Sequence, residues 1–494
     1  MNTIKLAAVI TGPTINEAMQ QMARATHADI LELRLDLFFE RHLSVISHLI
    51  ATASKPVICT LRSSQHGGKF SGSVLEQCSI LKKLIQLKPH YIDLEAHLPK
   101  ECFKECSYIS PNTEVICSYH NFDETPSDLD AVLEELEQKP AHLYKIATWA
   151  KSSIDSLRML LFLKKQRSQK LIGVCMGEHG QATRILSSIF GNSIAFASLK
   201  PSEFSTIALL DLQTLVKTYR IRQHNRDTKI YILIGDPVTL SQSHVTHNQV
   251  LDSLKQNAVY LKMRVKAEEL PAFFKMSKEL SIKGMSVTMP LKEHVGAFFN
   301  CGPINTISNQ KEEMLVDNTD APAVVSLLQA IINLNEKKVI ILGAGGTAKA
   351  IAKALLQYGV QLLIFNRTFE KAYALAQKLN AKAHALEDFT ALAQEGFDVL
   401  INCTSVGFND PHSSPIPLIP LPRHCIVMDV VSKPKETLFV RYAKAQGCTV
   451  IDGRQVFALQ AAKQFAFWLD TKVEKPVHEL LQKILTQIFH KEKH

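Results

Sequence analysis

The chain lacks the long apolar runs and the cysteine pattern that would mark a membrane or disulfide-rich protein. No uncharged apolar run in its 494 residues approaches the ~18 residues of a membrane-spanning helix. Its 10 cysteines make no disulfide framework, and the close pair Cys102 and Cys106 has no second pair at metal-binding spacing. The N-terminus has a short apolar run without a small-residue cleavage site, so we predict a first strand rather than a signal peptide. We expect reduced thiols, no metal site and a cytoplasmic location.

The composition excludes a disordered or fibrous chain and leaves three classes of partner open. Hydrophobic residues make up 46% and charged residues 21%, as in a protein with packed cores, and the length suggests about two to four domains. The net charge of +9 suits nucleic acid, an anionic membrane surface or small anionic ligands. The basic residues are scattered, and the densest stretches, 164–170 and 220–227, do not interleave aromatic residues with bases. We favour small anionic molecules, with no nucleic acid and no membrane as partner.

The first ~215 residues alternate short apolar, β-branched runs with helical patterns. Runs without polar alternation are typical of strands buried on both faces, as in a parallel sheet covered by helices. Eight such β/α units predict a (β/α)₈ barrel, also called a TIM barrel. Polar residues gather near the C-terminal ends of the runs, which in a barrel form the catalytic face. The eight runs are IKLAAVI (4–10), ADILELRLD (28–36), KPVICTLR (55–62), YIDLEAH (91–97), EVICSYH (114–120), LYKIATW (143–149), KLIGVCM (170–176) and SIAFASL (193–199).

The second half begins after a polar, basic stretch and contains two further α/β units. Strands are expected near 230–234, 258–264 and 284–288, and residues 337–368 have the strand, glycine turn, helix and strand of a dinucleotide-binding unit. The chain closes with amphipathic helices, including 457–469. We predict a barrel over 1–219, a linker over 220–229, a substrate lobe over 230–320, a Rossmann lobe over 321–456 and C-terminal helices over 457–494 that pack back on the substrate lobe.

Two residues of the barrel have the chemistry of covalent catalysis. Lys145 lies inside an apolar strand, where burial favours the neutral amine, a nucleophile able to form a Schiff base with a ketone. His120, one strand earlier at the same edge, suits a general base and acid. The alternative is a surface lysine and a structural core histidine. Arg34, Arg62 and Arg184 suit a carboxylate, or alternatively surface ion pairs.

The segments ADILELRLD, CTLRSSQHGG, YIDLEAH, CSYHNF, YKIATWA and CMGEHGQATR resemble the type I 3-dehydroquinate dehydratases over about residues 4–215. The resemblance implies that Lys145 forms an imine with 3-dehydroquinate and that His120 removes the C2 proton and returns it to the leaving hydroxyl. It further implies that the substrate is held by Glu32, Arg34, Arg62, Arg184 and Ser202 and packs against Met176.

The dehydratase half departs from the family pattern at two positions. His66 stands where the family has a glutamate that orients the catalytic histidine, and Thr206 replaces a substrate-binding glutamine. Because a histidine supplies no fixed negative charge, our hypothesis is that Glu95 or Asp93 partly takes over the orienting role. A barrel without activity, with a functional dehydrogenase behind it, is the rival interpretation.

The residues 343–348, GAGGTA, follow a strand and open a helix. Gly343 allows the tight turn, Gly345 lets the backbone approach a pyrophosphate, and the helix N-terminus offers N–H donors. The next strand ends in Asn366 and Arg367 rather than in an acidic residue, and Lys371 follows, so NADP is favoured over NAD. The alternative is a helix cap that binds no ligand.

The motifs SxS, SVTxPxK, NT, NTD, GAGG, NRT, NCTxxG and GRQVFALQ resemble the shikimate dehydrogenase family over about residues 229–480. Lys292 and Asp320 make an acid/base pair, and the resemblance assigns them to catalysis. It implies that shikimate is bound by Ser241, Ser243, Thr288, Asn305, Asp320 and Gln460. It implies that NADP(H) is bound by Gly343, Ala344, Gly345, Gly346, Asn366, Arg367, Thr368, Lys371, Thr404 and Gly453. The departures are His244, Ser286, Ala321 and Ser432.

The whole chain thus resembles the fused dehydroquinate dehydratase–shikimate dehydrogenases. That resemblance implies dehydration of 3-dehydroquinate to 3-dehydroshikimate, followed by reduction with NADPH to shikimate. Two other interpretations remain open: a regulator that binds quinate or a nicotinamide nucleotide without turnover, and a dehydrogenase that prefers quinate.

Overall fold

The computed structural model describes residues 4–166, 168, 170–200, 208–239, 241–310, 313–408 and 410–491. Its N-terminal part is an eight-stranded parallel sheet with strand order β7-β6-β5-β4-β3-β2-β1-β8, a nearly closed α/β barrel. All eight strands fall on the predicted runs. The strands are β1 Lys5–Ile10, β2 Ile30–Arg34, β3 Val57–Thr60, β4 Tyr91–Glu95, β5 Glu114–Asn121, β6 Leu143–Trp149, β7 Leu171–Met176 and β8 Ile194–Ala197.

Helices follow seven of the barrel strands in the described residues. They are α1 Ile15–Arg24, α2 Leu43–Thr52, α3 Val74–Ile85, α4 Lys100–Ile109, α5 Leu129–Glu137, α6 Ser153–Gln166 and α7 Gln181–Leu186. A short π-helix, Thr214–Thr218, lies at the end of the predicted barrel region. The predicted linker packs closely, since Ile221 is fully buried and the Arg222 guanidinium lies 3.0 Å from Asp29.

The barrel interior is layered, and the layers explain why the polar residues meet. One apolar residue from each strand forms a buried layer: Ala7, Ile30, Ile58, Tyr91, Ile116, Leu143, Ile172 and Ile194. Side chains along a strand alternate between its two faces, so the residues two and four positions further on face the same interior. Above Leu143 comes Lys145, and above Ile116 come Ser118 and His120. The C-terminal end of the barrel is therefore polar above an apolar floor.

The chain next forms a five-stranded sheet with order β10-β9-β11-β12-β13, in which β12 pairs antiparallel with β11 and β13. Its strands are β9 Lys229–Gly235, β10 Ala258–Arg264, β11 Gly284–Val287, β12 Thr306–Gln310 and β13 Glu313–Asp317. The helices of this region are α8 Ser243–Ser253, α9 Leu270–Glu279, α10 Leu291–Phe298 and α11 Asp320–Gln329.

A six-stranded parallel sheet follows, with order β16-β15-β14-β17-β18-β19. This is the 3-2-1-4-5-6 order of a Rossmann fold, so the predicted fold class is confirmed for both halves. The strands are β14 Lys338–Leu342, β15 Gln361–Asn366, β16 Lys382–Ala385, β17 Val399–Asn402, β18 Ile426–Asp429 and β19 Thr449–Ile451. The helices are α12 Gly346–Leu356, α13 Phe369–Leu379, α14 Phe389–Ala393, α15 Leu438–Ala445, α16 Gly453–Trp468 and α17 Glu474–Lys491.

The chain divides into two compact units. One combines Met1–Ile232 with Leu251–Ile282, and the other combines Leu233–Val250 with Lys283–His494. In the second unit α16 packs on β12, where the Trp468 indole N–H donates to the Ile307 carbonyl at 2.9 Å. Among the helices of the described residues, none has the length and apolar character needed to cross a membrane.

Candidate active sites

The C-terminal end of the barrel holds a cavity of about 330 Å³. The polar side chains expected there from the sequence line it together with apolar residues of β7 and β8. The predicted site residues at this cavity are Glu32, Arg34, Arg62, His120, Lys145, Met176 and Arg184. Ser202 and Thr206 lie outside the described residues.

Lys145 is buried, with 7% of its surface exposed. Its ammonium nitrogen lies 3.7 Å from Asp93 Oδ2 and 3.8 Å from the centre of the Phe196 ring. Burial lowers the pKa of Lys145; Glu32 and Asp93 oppose this shift, and Arg62 and Arg34 add to it. The site thus favours the neutral amine while one carboxylate still holds the side chain in place.

Arg62 lies at the centre of a buried polar network. Its guanidinium contacts Asp93 at 2.9 Å and Glu95 at 3.2 Å, and it donates to the Ser118 hydroxyl at 2.9 Å. Burial opposes its charge, but Asp93, Glu95 and Glu32 outweigh burial and raise the pKa of Arg62. The same Asp93 has its pKa lowered: burial opposes ionisation, and Arg62 and Lys145 overcome it. Asp93 therefore links the substrate-binding candidate Arg62 to the candidate nucleophile.

His120 faces the same cavity, and its ring lies 6.4 Å from that of Phe122. Burial, followed by the charges of Arg62, Lys145 and Arg34, holds the pKa of His120 well below its ordinary value. The imidazole is therefore neutral at neutral pH and able to accept a proton. Its Nδ1 atom is buried and has no hydrogen-bond partner in the described part of the chain.

The hypothesis that Glu95 or Asp93 orients His120 is wrong in this structure. Glu95 accepts from Arg62, from the backbone and hydroxyl of Ser63 and from Gln77, while Asp93 accepts from Arg62 and Ser118. Both carboxylates are committed to the Arg62 network, because a buried guanidinium needs nearby negative charge.

Three further predicted residues have defined surroundings in the cavity. Arg34 forms a two-point pair with Asp36, with both nitrogen–oxygen distances 2.9 Å. Glu32 accepts from the Thr60 hydroxyl at 2.9 Å. Arg184 is 6% exposed, and burial lowers its pKa to about 10. All three project into the cavity from strand ends or from the helix that follows β7.

The second unit brings Lys292 and Asp320 together from the starts of α10 and α11. The Lys292 ammonium donates to Asp320 Oδ2 at 2.5 Å and to the Thr347 hydroxyl at 3.0 Å. Asn305 donates to the other oxygen of Asp320 at 2.9 Å. Asp320 is 8% exposed, so the pair is largely shielded from water. An ammonium held by one carboxylate and one hydroxyl is suited to deliver a proton to a carbonyl oxygen.

The other predicted shikimate ligands lie on neighbouring elements of this unit. The Ser241 hydroxyl donates to Ser243 at 2.9 Å, and Gln460 on α16 accepts from Thr319, next to Asp320, at 3.4 Å. Thr288 follows β11, and a side chain on Gly235 would overlap its methyl group. Of the predicted ligands, Asn305 contacts Asp320 directly and Gln460 contacts the neighbouring Thr319.

The glycine turn after β14 fits a dinucleotide. Gly343 has φ of +109°, which favours glycine, and a Cβ on Gly345 would have no heavy atom within 4 Å. Gly346, which opens α12 beside buried Ala344, lies near Lys292: a Cβ there would sit 3.2 Å from the Lys292 Cβ. Open space above a helix N-terminus is the arrangement in which backbone N–H groups bind a pyrophosphate.

The remaining cofactor candidates differ in their surroundings. Asn366 donates to the Thr368 carbonyl at 2.9 Å at the end of β15, where Arg367 and Lys371 are exposed. The Thr404 hydroxyl donates to Asn402, and the Asn402 amide donates to Asp429. Asp429 is buried, and this burial raises its pKa to about 6. Gly453 has a packing role: a Cβ there would overlap the Val431 carbonyl.

Sequence reasoning did not single out several residues that the structure places at these sites. Asp93 was named only as a possible partner of His120, yet it contacts Lys145; its sequence signal is a charged residue in the middle of a strand. Thr347 contacts Lys292 and directly follows Gly346 in the GAGGTA segment. Phe196 lies over the Lys145 ammonium. His97 lies against His66, with ring centres 4.7 Å apart.

The fold and the two sites define a chain with two enzyme units, a barrel with a buried lysine at its cavity and an α/β dehydrogenase. Family models match in the same order: type I 3-dehydroquinase over residues 6–226, shikimate dehydrogenase substrate binding domain over 233–307, and shikimate/quinate 5-dehydrogenase over 326–408. The shikimate biosynthesis protein AroDE of Chlamydia pneumoniae is 35% identical over 478 residues, covering 94% of this chain and 95% of that protein.

A plant relative has the same two activities in its name. The bifunctional 3-dehydroquinate dehydratase/shikimate dehydrogenase, chloroplastic, of Arabidopsis thaliana is 30% identical over 96% of this chain and 84% of its own length. Among solved structures, shikimate 5-dehydrogenase from Thermus thermophilus in complex with NADP(H) and shikimate is 31% identical, with a TM-score of 0.45, covering 51% of this chain and 100% of that chain.

The chain belongs to the bifunctional 3-dehydroquinate dehydratase/shikimate dehydrogenase family. It is a lyase and an NADP-dependent oxidoreductase of the shikimate pathway. An enzyme rather than a non-catalytic regulator is therefore the correct interpretation of the sequence.

Proposed function

We propose that the barrel dehydrates 3-dehydroquinate through a Schiff base on Lys145. The neutral amine adds to the ketone and water leaves, giving an iminium that withdraws electrons from the adjacent C2–H bond. His120 removes the C2 proton and returns it to the hydroxyl that leaves from C1 as water. Hydrolysis of the iminium then releases 3-dehydroshikimate and frees Lys145.

The observation that carries this proposal is the environment of Lys145. Its amine is buried 3.7 Å from Asp93 in the cavity that also contains His120. Burial and then the neighbouring cations lower the pKa of His120, so the imidazole is unprotonated before the reaction, and the same surroundings favour early return of the proton to the substrate. Glu32, Arg34, Arg62, Arg184 and Ser202 are the proposed ligands of the substrate carboxylate and hydroxyls, the last lying outside the described residues.

For the second unit we propose that Lys292 donates a proton to the carbonyl oxygen of 3-dehydroshikimate as that carbon is reduced, giving shikimate. Asp320 holds the ammonium in position at 2.5 Å, and Asn305 fixes Asp320 in turn. Ser241, Ser243, Thr288, Asn305 and Gln460 hold the ring hydroxyls and carboxylate. Between turnovers Lys292 takes up a proton from water, and Asp320 holds the re-formed ammonium in position.

We propose NADPH as the reductant, which supplies the hydride when bound. The open turn at Gly343, Ala344, Gly345 and Gly346 fits a pyrophosphate. Arg367 and Lys371, exposed at the end of β15, suit a 2′-phosphate, with Asn366 and Thr368 shaping the turn. Thr404 and Gly453 complete the proposed cofactor site, Gly453 through the close packing of α16.

Borohydride trapping tests the dehydratase mechanism directly. The full chain is mixed with 3-dehydroquinate and sodium borohydride, and we expect a reduced covalent adduct on the peptide that contains Lys145. A Lys145→Ala chain is the control. A missing adduct would support the rival interpretation of an inactive barrel, and an adduct on another lysine would reject the assignment. A coupled assay with 3-dehydroquinate and NADPH then shows whether one chain performs both steps.

The proposed domain boundaries remain 1–219, 220–229, 230–320, 321–456 and 457–494. We further propose a cytoplasmic protein whose partners are small anionic molecules rather than nucleic acid. All 10 cysteines are free thiols, as expected in a reducing compartment. Comparing kcat/KM for shikimate and quinate tests the remaining alternative of a quinate preference.

A further inference from the structure

Three side chains with metal-binding atoms meet beside the barrel cavity, and one of them, His66, lines it. They are His66, in the short turn after β3, and Glu95 and His97 at the end of β4. One donor atom from each lies within 4.8 Å of the other two. The proposed catalytic cycle uses neither histidine, and sequence reasoning expected no metal here.

The backbone holds these groups in place. The turn is closed by hydrogen bonds from the His66 and Gly68 N–H groups to the Ser63 carbonyl, and Gly67 adopts φ of +77°. The two imidazole rings are stacked, with an angle of 19° between their planes. Glu95 is 2% exposed, so its position is fixed by packing. Little ordering is therefore required before an ion binds.

We propose that His66, Glu95 and His97 bind a divalent transition metal of the zinc type. Two imidazoles and one carboxylate are a common donor set for Zn²⁺, with water completing the coordination. Of the four donors to Glu95, the Ser63 hydroxyl at 3.2 Å makes a long hydrogen bond and can rotate away. His97 is exposed, which gives an ion access from solvent.

Metal binding would act on the dehydratase alone. The ion competes with Arg62 for Glu95, and Arg62 is a proposed substrate ligand in the same cavity. It also places positive charge near His120, which must carry a proton between the two steps of the reaction. This consequence rests on the proposed roles of Arg62 and His120, whereas metal binding itself does not.

Calorimetry with zinc chloride tests the binding without any turnover. The full chain is freed of metal with EDTA, dialysed and titrated; one site is expected, weakened at least about tenfold in His97→Ala and in His97→Gln, which retains length and polarity. His48→Ala, which removes an exposed histidine on α2, should bind like the parent chain. Equal binding by the His97 variants, or no binding by the parent, would overturn the proposal.

Activity gives a second, independent readout. Zinc at the concentration that fills this site should lower dehydratase turnover at least about tenfold in the parent and His48→Ala chains. Each variant is compared with its own metal-free rate, and the dehydrogenase of the same chain serves as the internal control. Equal inhibition of both activities would reject a selective site. Borohydride trapping without metal reports separately on Lys145, so failure of the mechanism and failure of the metal site give different results.

Discussion

Removing the charge of Asp93 gives a quantitative test of how the barrel tunes its lysine. Asp93 is buried and lies 3.7 Å from the Lys145 ammonium and 2.9 Å from Arg62. At 3.7 Å a charge pair is worth about 4.5 kcal/mol at an effective dielectric constant of about 20, and about 1 kcal/mol at that of water. In Asp93→Asn this attraction is lost, so the ammonium form of Lys145 becomes less favourable.

Because the neutral amine is the reactive form, Asp93→Asn should move the acid limb of the dehydratase kcat/KM profile to lower pH. The energies above correspond to about 1 to 3 pH units. Glu95→Gln is the matched control, since Glu95 also pairs with Arg62 and is equally buried but forms no ion pair with Lys145. The midpoint of the limb, rather than the maximal rate, is the quantity to compare.

Both substitutions weaken the Arg62 network, so both are expected to lower the maximal rate and the stability. Only Asp93→Asn should shift the midpoint by a full pH unit. An equal shift in the two variants would show that Arg62, rather than direct contact with Asp93, controls Lys145. No shift in either would mean that the acid limb reports a different group, and the assignment of Lys145 would lose its electrostatic support.

Three further predictions concern the second unit. Lys292→Met should lower dehydrogenase kcat by about 10²- to 10⁴-fold and leave dehydratase turnover unchanged, as measured by separate assays of the two reactions. Arg367→Ala together with Lys371→Ala should raise the KM for NADPH about tenfold or more and leave that for NADH nearly unchanged, which steady-state kinetics with both nucleotides will show. His247 is 1% exposed, and burial lowers its pKa to about 3. Below about pH 6.5 this histidine therefore binds a proton in the unfolded chain but stays unprotonated in the folded chain. The free energy of unfolding should therefore fall by about 2 kcal/mol from pH 7 to pH 5. It is measured by urea unfolding with dehydrogenase activity as the probe, and in His247→Gln it should depend less on pH.

Local sequence patterns predict much of the barrel. Apolar, β-branched runs specify strands buried on both faces, and all eight runs became strands. The alternation of side chains even predicts which polar residues share the interior, since Glu32, Arg62, Ser118 and Lys145 stand two or four positions after a residue of the apolar layer. The glycine turn of the dehydrogenase is equally local, because Gly343 requires a positive φ that few other residues adopt.

Only the tertiary structure decided which partner each polar residue takes. The sequence shows that Asp93, Glu95, His66 and His97 lie near strand ends, but their pairing depends on barrel closure and on the turn after β3. Burial then decides which residue pairs with these carboxylates. Arg62 pairs with both because an unpaired buried guanidinium is costly, and neither carboxylate bonds to His120. Long-range contact and desolvation are properties of the folded chain, and no local pattern encodes them.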